Sequence, residues 1–193
     1  MEAIPVSETS RPPRARKDAQ LNRQRIVDAA TRVLRAGPQP VKIETIAQEA
    51  GVGVGTLYRN FPSREALVEE VYRSELARLC ARAGELLAGH PPAEAMRAWM
   101  GRYQEFVATK HGMAEALRAV IASGAISSGT TREHLNGAIA TLLEAGRRDG
   151  SLRADVEPAD VSASMAGIML AAADAEQAGR MLGLLVDGLL ARP

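Results

Sequence analysis

Cysteine is nearly absent from this chain of 193 residues, where Cys80 stands alone. A single thiol excludes an internal disulfide and any zinc site built on several thiolates. Aromatic residues make up only 3%, and β-branched runs are scarce, so little in the chain favours strands. Long apolar runs are missing too. A stretch such as Met165 to Ala173 falls well short of the ~18 residues a membrane span needs. The first residues, MEAIPVSETS, contain no apolar core of a secretory signal, so a cytoplasmic protein is expected. Lysine is outnumbered by arginine, 3 to 21, a skew we assign to GC-rich codon usage and not to chemistry.

Ala, Leu, Arg and Glu are plentiful, which favours helix. Hydrophobic residues reach 46% and charged residues 24%, the balance of a soluble globular chain long enough to bury a core without metals. The net charge of +1 hides an asymmetry: residues 1–65 carry +4 and residues 66–193 carry −3. Eight basic residues lie between Arg11 and Arg35, against Asp18 and Asp28. A basic front on a mildly acidic body fits nucleic-acid contact by the front alone, or simply a solvated tail and helix face.

Residues 1–17 hold Pro5, Pro12, Pro13 and a basic run without apolar periodicity, and are expected to form a disordered basic arm. From about Asp18 an apolar stripe of period 3.6 predicts a helix through Leu34, stopped at Gly37-Pro38. Two short helices follow, one through Ile43, Ile46, Ala47 and Ala50, the next through Val54, Leu57 and Tyr58. Ser63 is placed to cap a long helix with Glu65 in its first turn, reaching Gly89-His90-Pro91-Pro92. Further helices are predicted at about 93–109, 113–122, 131–148, 158–173 and 175–191, with a loop from Gly124 to Gly129. The fold class is all-α.

The spacing within residues 43–60 is that of a helix-turn-helix. Ala47 lets the second helix approach, Gly51 permits positive φ in the turn, and Leu57 plugs the space between the helices. A short second helix can then enter a major groove. Other helical hairpins also satisfy this spacing. The longer string IETIAQEAGVGVGTLYRNFPSREAL, residues 43–67, resembles the DNA-binding signature of TetR-family transcriptional regulators. The matching positions are Ile46-Ala47, Ala50-Gly51-Val52, Gly55-Thr56-Leu57-Tyr58, Phe61, Ser63 and Glu65-Ala66-Leu67. The resemblance covers roughly residues 20–75. Gly53 departs from the usual Ser at the recognition-helix cap, and Asn60 from the frequent His.

The resemblance implies a bacterial, homodimeric regulator, most often a repressor, with a helix-turn-helix domain over 18–62 and a helical effector-binding and dimerisation domain over 63–193. It places Val54, Gly55 and Thr56 against base edges and backbone. Tyr58 and Lys42 are expected on phosphates, and Arg59 is expected to read guanine bidentately. Asn60 is a base or phosphate contact, and Arg64 reaches the backbone.

The remaining motifs carry no competing chemistry. Gly51-Val-Gly-Val-Gly55 follows no strand and fails the dinucleotide and phosphate-loop fingerprints. His90, His111 and His134 lack metal-ligand spacing. No nucleophile elbow occurs, and Cys80 reads as a small core residue. No cofactor, no metal and no enzymatic activity are expected.

In the C-terminal part, Val161, Met165, Ile168 and Ala172 form one apolar face, and Met181, Leu182, Leu185 and Leu189 another. Two such faces are broader than one neighbour covers, which points to a dimer interface. Trp99, Tyr103 and Phe106, with Met113, Met165 and Met169, are candidates to line a pocket for a small apolar or amphipathic effector, or else to be ordinary core. The expected partners are double-stranded DNA with a palindromic operator, that effector and a second copy of the chain, and no membrane. The competing readings are a DNA-binding dimer without a small-molecule ligand, and a helical small-molecule-binding protein that no longer reads DNA.

Overall fold

A computed structural model of the chain describes residues 13–36 and 41–191. Among the described residues there are nine helices and no strand: α1 (Pro13–Ala36), α2 (Ile43–Ala50), α3 (Val54–Asn60), α4 (Arg64–Leu87), α5 (Pro92–Gly112), α6 (Ala114–Ala122), α7 (Ser128–Asp149), α8 (Pro158–Ala171) and α9 (Ala175–Leu189). The fold is all-α, as the composition implies. Two starts come earlier than the apolar stripes suggest. α1 begins at Pro13, inside the expected arm, because proline is well tolerated in a first helical turn. Residues 1–12 of that arm, and the Gly37-Pro38 break, lie outside the described residues. α7 begins at Ser128, inside the expected loop, because Ser127 Oγ accepts from Thr130 N–H and pulls Gly129 into the first turn.

The first three helices form a small head. α2 ends on Gly51 at φ +66°, a conformation that excludes most side chains. Gly51 N–H donates to Gln48 O and Val52 N–H to Ala47 O, each at 3.0 Å. This pair of bonds satisfies carbonyls that the helix end would otherwise leave open. Ile26, Ala30, Ile43, Ile46, Ala47, Leu57 and Phe61 are all buried beneath the turn. Leu57 is fully enclosed, so its truncation to Ala is worth about 2–5 kcal/mol.

α4 carries the head into the body. Ser63 Oγ accepts from Ala66 N–H at 3.1 Å, and the helix then packs against α1, α5, α6 and α7. Its inner side holds Glu75, a carboxylate only 5% exposed. Arg35 of α1 pairs with Glu75 at 2.5 Å and Arg78 at 3.0 Å. Arg78 also reaches Asp28 of α1, and Arg35 Nε donates to Thr109 of α5 at 2.7 Å. A buried charge is tolerated only when it is paired and hydrogen-bonded, and here the pairing ties α1, α4 and α5 together. α5 then packs on α7 and α9, and α8 lies against α7 and α9. An isolated antiparallel bridge between Leu152 and Leu190 pins the end of α9 to the connection after α7.

Candidate nucleic-acid interface

α3 has seven residues and buries Leu57 alone; the rest of the helix is exposed or half-buried. Leu57 and the flanking Phe61 anchor it, and the other side chains project from the head. Val54 is 36% exposed and Tyr58 46%. Lys42 is exposed at the cap position of α2, with no side-chain cap bond. Arg64 is half-buried at the start of α4.

The cap of α3 is Gly53, at φ −70° and ψ 149°. Any residue adopts that conformation. A Cβ on Gly53 or Gly55 would meet nothing within 4 Å. Packing and backbone therefore require neither glycine, and the two leave the surface around Val54 bare of side chains.

Two of the sequence-selected polar residues are engaged with their own helix. Arg59 Nε lies 3.3 Å from Gly55 O, and its Nη2 donates to Thr56 Oγ1 at 3.0 Å. The guanidinium is exposed and can exchange these bonds for others by rotamer change. Asn60 is different. Its Nδ2 donates to Thr56 O at 2.8 Å, and its own carbonyl accepts from Arg23 Nη1 at 2.9 Å. The half-buried Asn60 thus closes the end of α3 through its Nδ2 and its backbone carbonyl.

Arg23 is a residue that the sequence reading missed. Its guanidinium sits 4.2 Å above the Phe61 ring and pairs with Glu70 of α4 at 2.5 Å. It therefore fastens α1 to the end of α3 and the beginning of α4. In sequence it was one arginine of a basic stretch, and nothing there distinguishes it from Arg25 or Arg32.

The body divides the residues selected as effector contacts. Trp99, Met113 and Met165 are at most 2% exposed, and Trp99 Nε1 donates to Leu79 O at 2.8 Å. With its polar atom satisfied and its surface enclosed, Trp99 packs as core, and Met113 and Met165 are likewise enclosed. Tyr103, Phe106 and Met169 do border a cavity of about 240 Å³ between α5, α7 and α8. A second cavity, of about 360 Å³, lies between α4, the α6–α7 connection and the start of α7. Periodicity placed Tyr72 and Thr131 in helices, but only the packing brings them together, with their hydroxyls 2.9 Å apart. Burial pushes the Tyr72 phenol above its ordinary 10.0, against the opposing effect of the Thr131 bond. Burial raises Tyr103 as well, with Tyr72 adding to the shift. Both phenols are neutral at physiological pH.

The residues selected for a dimer interface also divide. Val161, Met165, Leu182 and Leu189 are buried inside the protomer. Packing against α7 and α5 uses their surface, so they have none to offer a second subunit. Ile168, Ala172, Met181 and Leu185 are half-exposed. Beside them Leu170 is 89% exposed and Leu184 71%. No group of three metal-ligating side chains occurs among the described residues, and no described helix is long and apolar enough to cross a membrane.

Comparisons with known proteins agree with this geometry. Residues 26–71 match the family model of bacterial regulatory proteins of the tetR family. Residues 91–191 match that of the SbtR-like transcriptional regulator C-terminal domain. The chain is similar to the TetR transcriptional regulator SCO0520 of Streptomyces coelicolor, with 46% identity, 89% of this chain and 99% of that one covered, and a TM-score of 0.80. A TetR transcription regulatory protein of Mycobacterium vanbaalenii is 29% identical over 91% and 99% of the two chains, with a TM-score of 0.72. The transcriptional repressor KstR of Mycolicibacterium smegmatis is 28% identical over 131 residues, 66% of this chain and 64% of its own length. An HTH-type transcriptional regulator of Staphylococcus aureus is 40% identical over 62 residues, 34% of its length. The match thus spans less than two thirds of either of these two relatives.

Proposed function

The chain belongs to the TetR family of DNA-binding transcriptional regulators, and from that premise we propose that it is a cytoplasmic bacterial repressor that binds a palindromic operator as a homodimer and is released by a small-molecule effector. Its family relatives are regulators and not enzymes. Residues 18–62 read DNA in this proposal, and residues 63–193 bind the effector and dimerise.

The observation that carries the proposal is the surface of α3. A short helix held by Leu57 and Phe61 presents Val54, Tyr58 and Arg59 beside two glycines that the fold does not need. Bare backbone at 53 and 55 lets the helix approach base edges closely, and Val54 can meet a thymine methyl. Arg59, leaving Thr56, pairs with guanine, while Tyr58, Thr56, Lys42 and Arg64 serve the backbone. A reading helix this short specifies few base pairs, so two copies must act on half-sites about one helical turn apart. The half-exposed Ile168, Ala172, Met181 and Leu185, with Leu170 and Leu184, supply the surface for that second copy. KstR is itself named a repressor, which supports the sense of regulation. By linkage, an effector weakens DNA binding to the extent that it prefers the state in which the two heads are out of register.

Selection of random-sequence duplex DNA on the purified protein at near-physiological salt tests the DNA reading. The expected product is a palindromic consensus, bound by a dimer and lost in Arg59→Ala. Failure of a folded protein to enrich any sequence overturns it. A thermal-shift screen of a mixed small-molecule library, followed by operator release, tests the effector reading separately.

A further inference from the structure

The two cavities of the body have separate walls except at two residues. Tyr72 and Thr131 line both, and the hydrogen bond between their hydroxyls bridges α4 and α7 where the two meet. We propose that this pair is a removable partition, and that opening it joins the cavities into one site for an elongated organic anion, a carboxylate on an apolar chain. The inference rests on the effector reading above and names the ligand class and the device within it.

The sizes favour a joined site. Ligand pockets span ~300–1,000 Å³, and the cavities of about 240 and 360 Å³ lie at or near the lower limit. The partition is held by that hydrogen bond and by the packing of the buried Tyr72 ring on Phe106, 5.6 Å away between ring centroids. A hydrogen bond between two neutral hydroxyls shifts an equilibrium only about three- to tenfold, and either hydroxyl can turn to a ligand instead.

Both halves mix apolar and polar walls. The larger cavity sets Leu76 and Ile126 beside Ser127, Thr130, His134 and Arg73. Arg73 donates to Ala125 O at 2.9 Å and pairs with Glu69 at 2.7 Å, but Glu69 is not part of the wall. The smaller cavity is lined by Phe106, Val107, Leu135 and Met169, with Lys110 and His111 also on its wall. No Asp or Glu among the described residues lines either one. A carboxylate head fits beside Arg73 and the hydroxyls of the larger cavity, with its chain running past Tyr72 and Thr131 along Phe106, Val107 and Met169 of the smaller one. A cationic amphiphile finds no counter-charge on either wall. Because Tyr72 belongs to α4, the helix capped at Ser63 beside the DNA-reading head, a chain threaded there pushes on the element that positions the head.

Isothermal titration with straight-chain carboxylates from hexanoate to dodecanoate, and with dodecyltrimethylammonium as the cationic control, tests this in the intact protein. Affinity is expected to rise with chain length up to dodecanoate. Tyr72→Phe and Thr131→Val should each bind dodecanoate about three- to tenfold tighter, the worth of the lost hydrogen bond, and leave hexanoate unchanged. Ala166→Phe, which fills the smaller cavity from an exposed position, should weaken dodecanoate at least tenfold. Ala77→Phe, on the wall of the larger cavity, is the second blocking variant should the first not fold. Binding without length dependence, binding unaffected by either blocking variant, or preference for the cation overturns the inference. Absence of carboxylate binding overturns it too. In that case a library compound that still releases operator leaves the effector reading standing.

Discussion

A Cβ placed on Gly112 would lie 2.0 Å from the carbonyl oxygen of Leu34. The end of α5 thus touches the backbone of α1 directly, and no side chain fits between body and head at this point. Gly112→Ala must move one helix, because a backbone carbonyl cannot swing aside as a side chain does. Overpacking costs about 1–3 kcal/mol, so a fall in Tm is expected. Gly101, on the same helix, has nothing within 4 Å of its Cβ position. Gly101→Ala should stabilise by roughly 0.5–1 kcal/mol through helix propensity. Thermal unfolding of the two variants side by side separates the close approach from any general effect of alanine.

The open surroundings of Gly53 give an independent prediction. Gly53→Ser adds a capping hydroxyl to α3 without a clash, for a gain of only a few tenths of a kcal/mol. The same hydroxyl adds a phosphate donor at the DNA surface. Under the proposed function, operator affinity rises while the slope of log affinity against log salt stays the same, because a neutral hydroxyl releases no counterion. Unchanged affinity would place Gly53 away from the DNA.

What could be read in the sequence, and what could not, follows from where the information resides. The turn at Gly51 and the plug at Leu57 are local: a positive φ and an apolar residue at fixed spacing announce themselves in one dimension. The cap at Ser63 is equally local. Trp99 shows the limit. A stripe of large side chains at helical spacing fixes which face points inward, but not whether that face meets a cavity or a neighbour, and here Leu79 and Tyr103 occupy it. Val161 and Leu182 pose the same ambiguity between a protomer's core and its surface. Pairings such as Tyr72 with Thr131, or Arg23 with Asn60, join residues 59 and 37 positions apart. They depend on how helices cross, which a pattern along one helix does not contain.

Alkaline stability should follow from three protonated groups. Burial raises Tyr72 and Tyr103 above 10.0 and Cys80 above 9.0. For each, the folded state holds its proton more tightly than the unfolded chain. Their contribution is fully present below the unfolded values and is lost as pH rises through the folded ones. Denaturant midpoints are therefore expected to hold steady through neutral pH and to fall from about pH 9 upward. Tyr103→Phe removes one ionisable group and should flatten that fall, although it lowers the neutral baseline little. An unaltered alkaline slope in this variant would mean that the phenol ionises as freely in the folded state as in the unfolded chain.

Arg23 and Arg59 should fail in different ways when removed. Arg59 is exposed, and its bonds to Gly55 O and Thr56 cost little to release. Its truncation should leave stability within about 0.5 kcal/mol but flatten discrimination among operator variants at one base position by ~1–3 kcal/mol. Arg23 holds Asn60, Phe61 and Glu70 at once without belonging to the exposed face of α3. Its charge is partly screened by solvent, with 42% of the side chain exposed, so Arg23→Met should cost about 1–2 kcal/mol, most of it from the carbonyl of Asn60 and the Phe61 ring. Because the variant misaims the whole helix and deletes no base contact, it should weaken all operator sequences by a similar factor. Competition binding on a panel of single-base operator variants distinguishes the two patterns. A position-specific loss in Arg23→Met would mean that this residue reads DNA itself and does not merely position the helix that does.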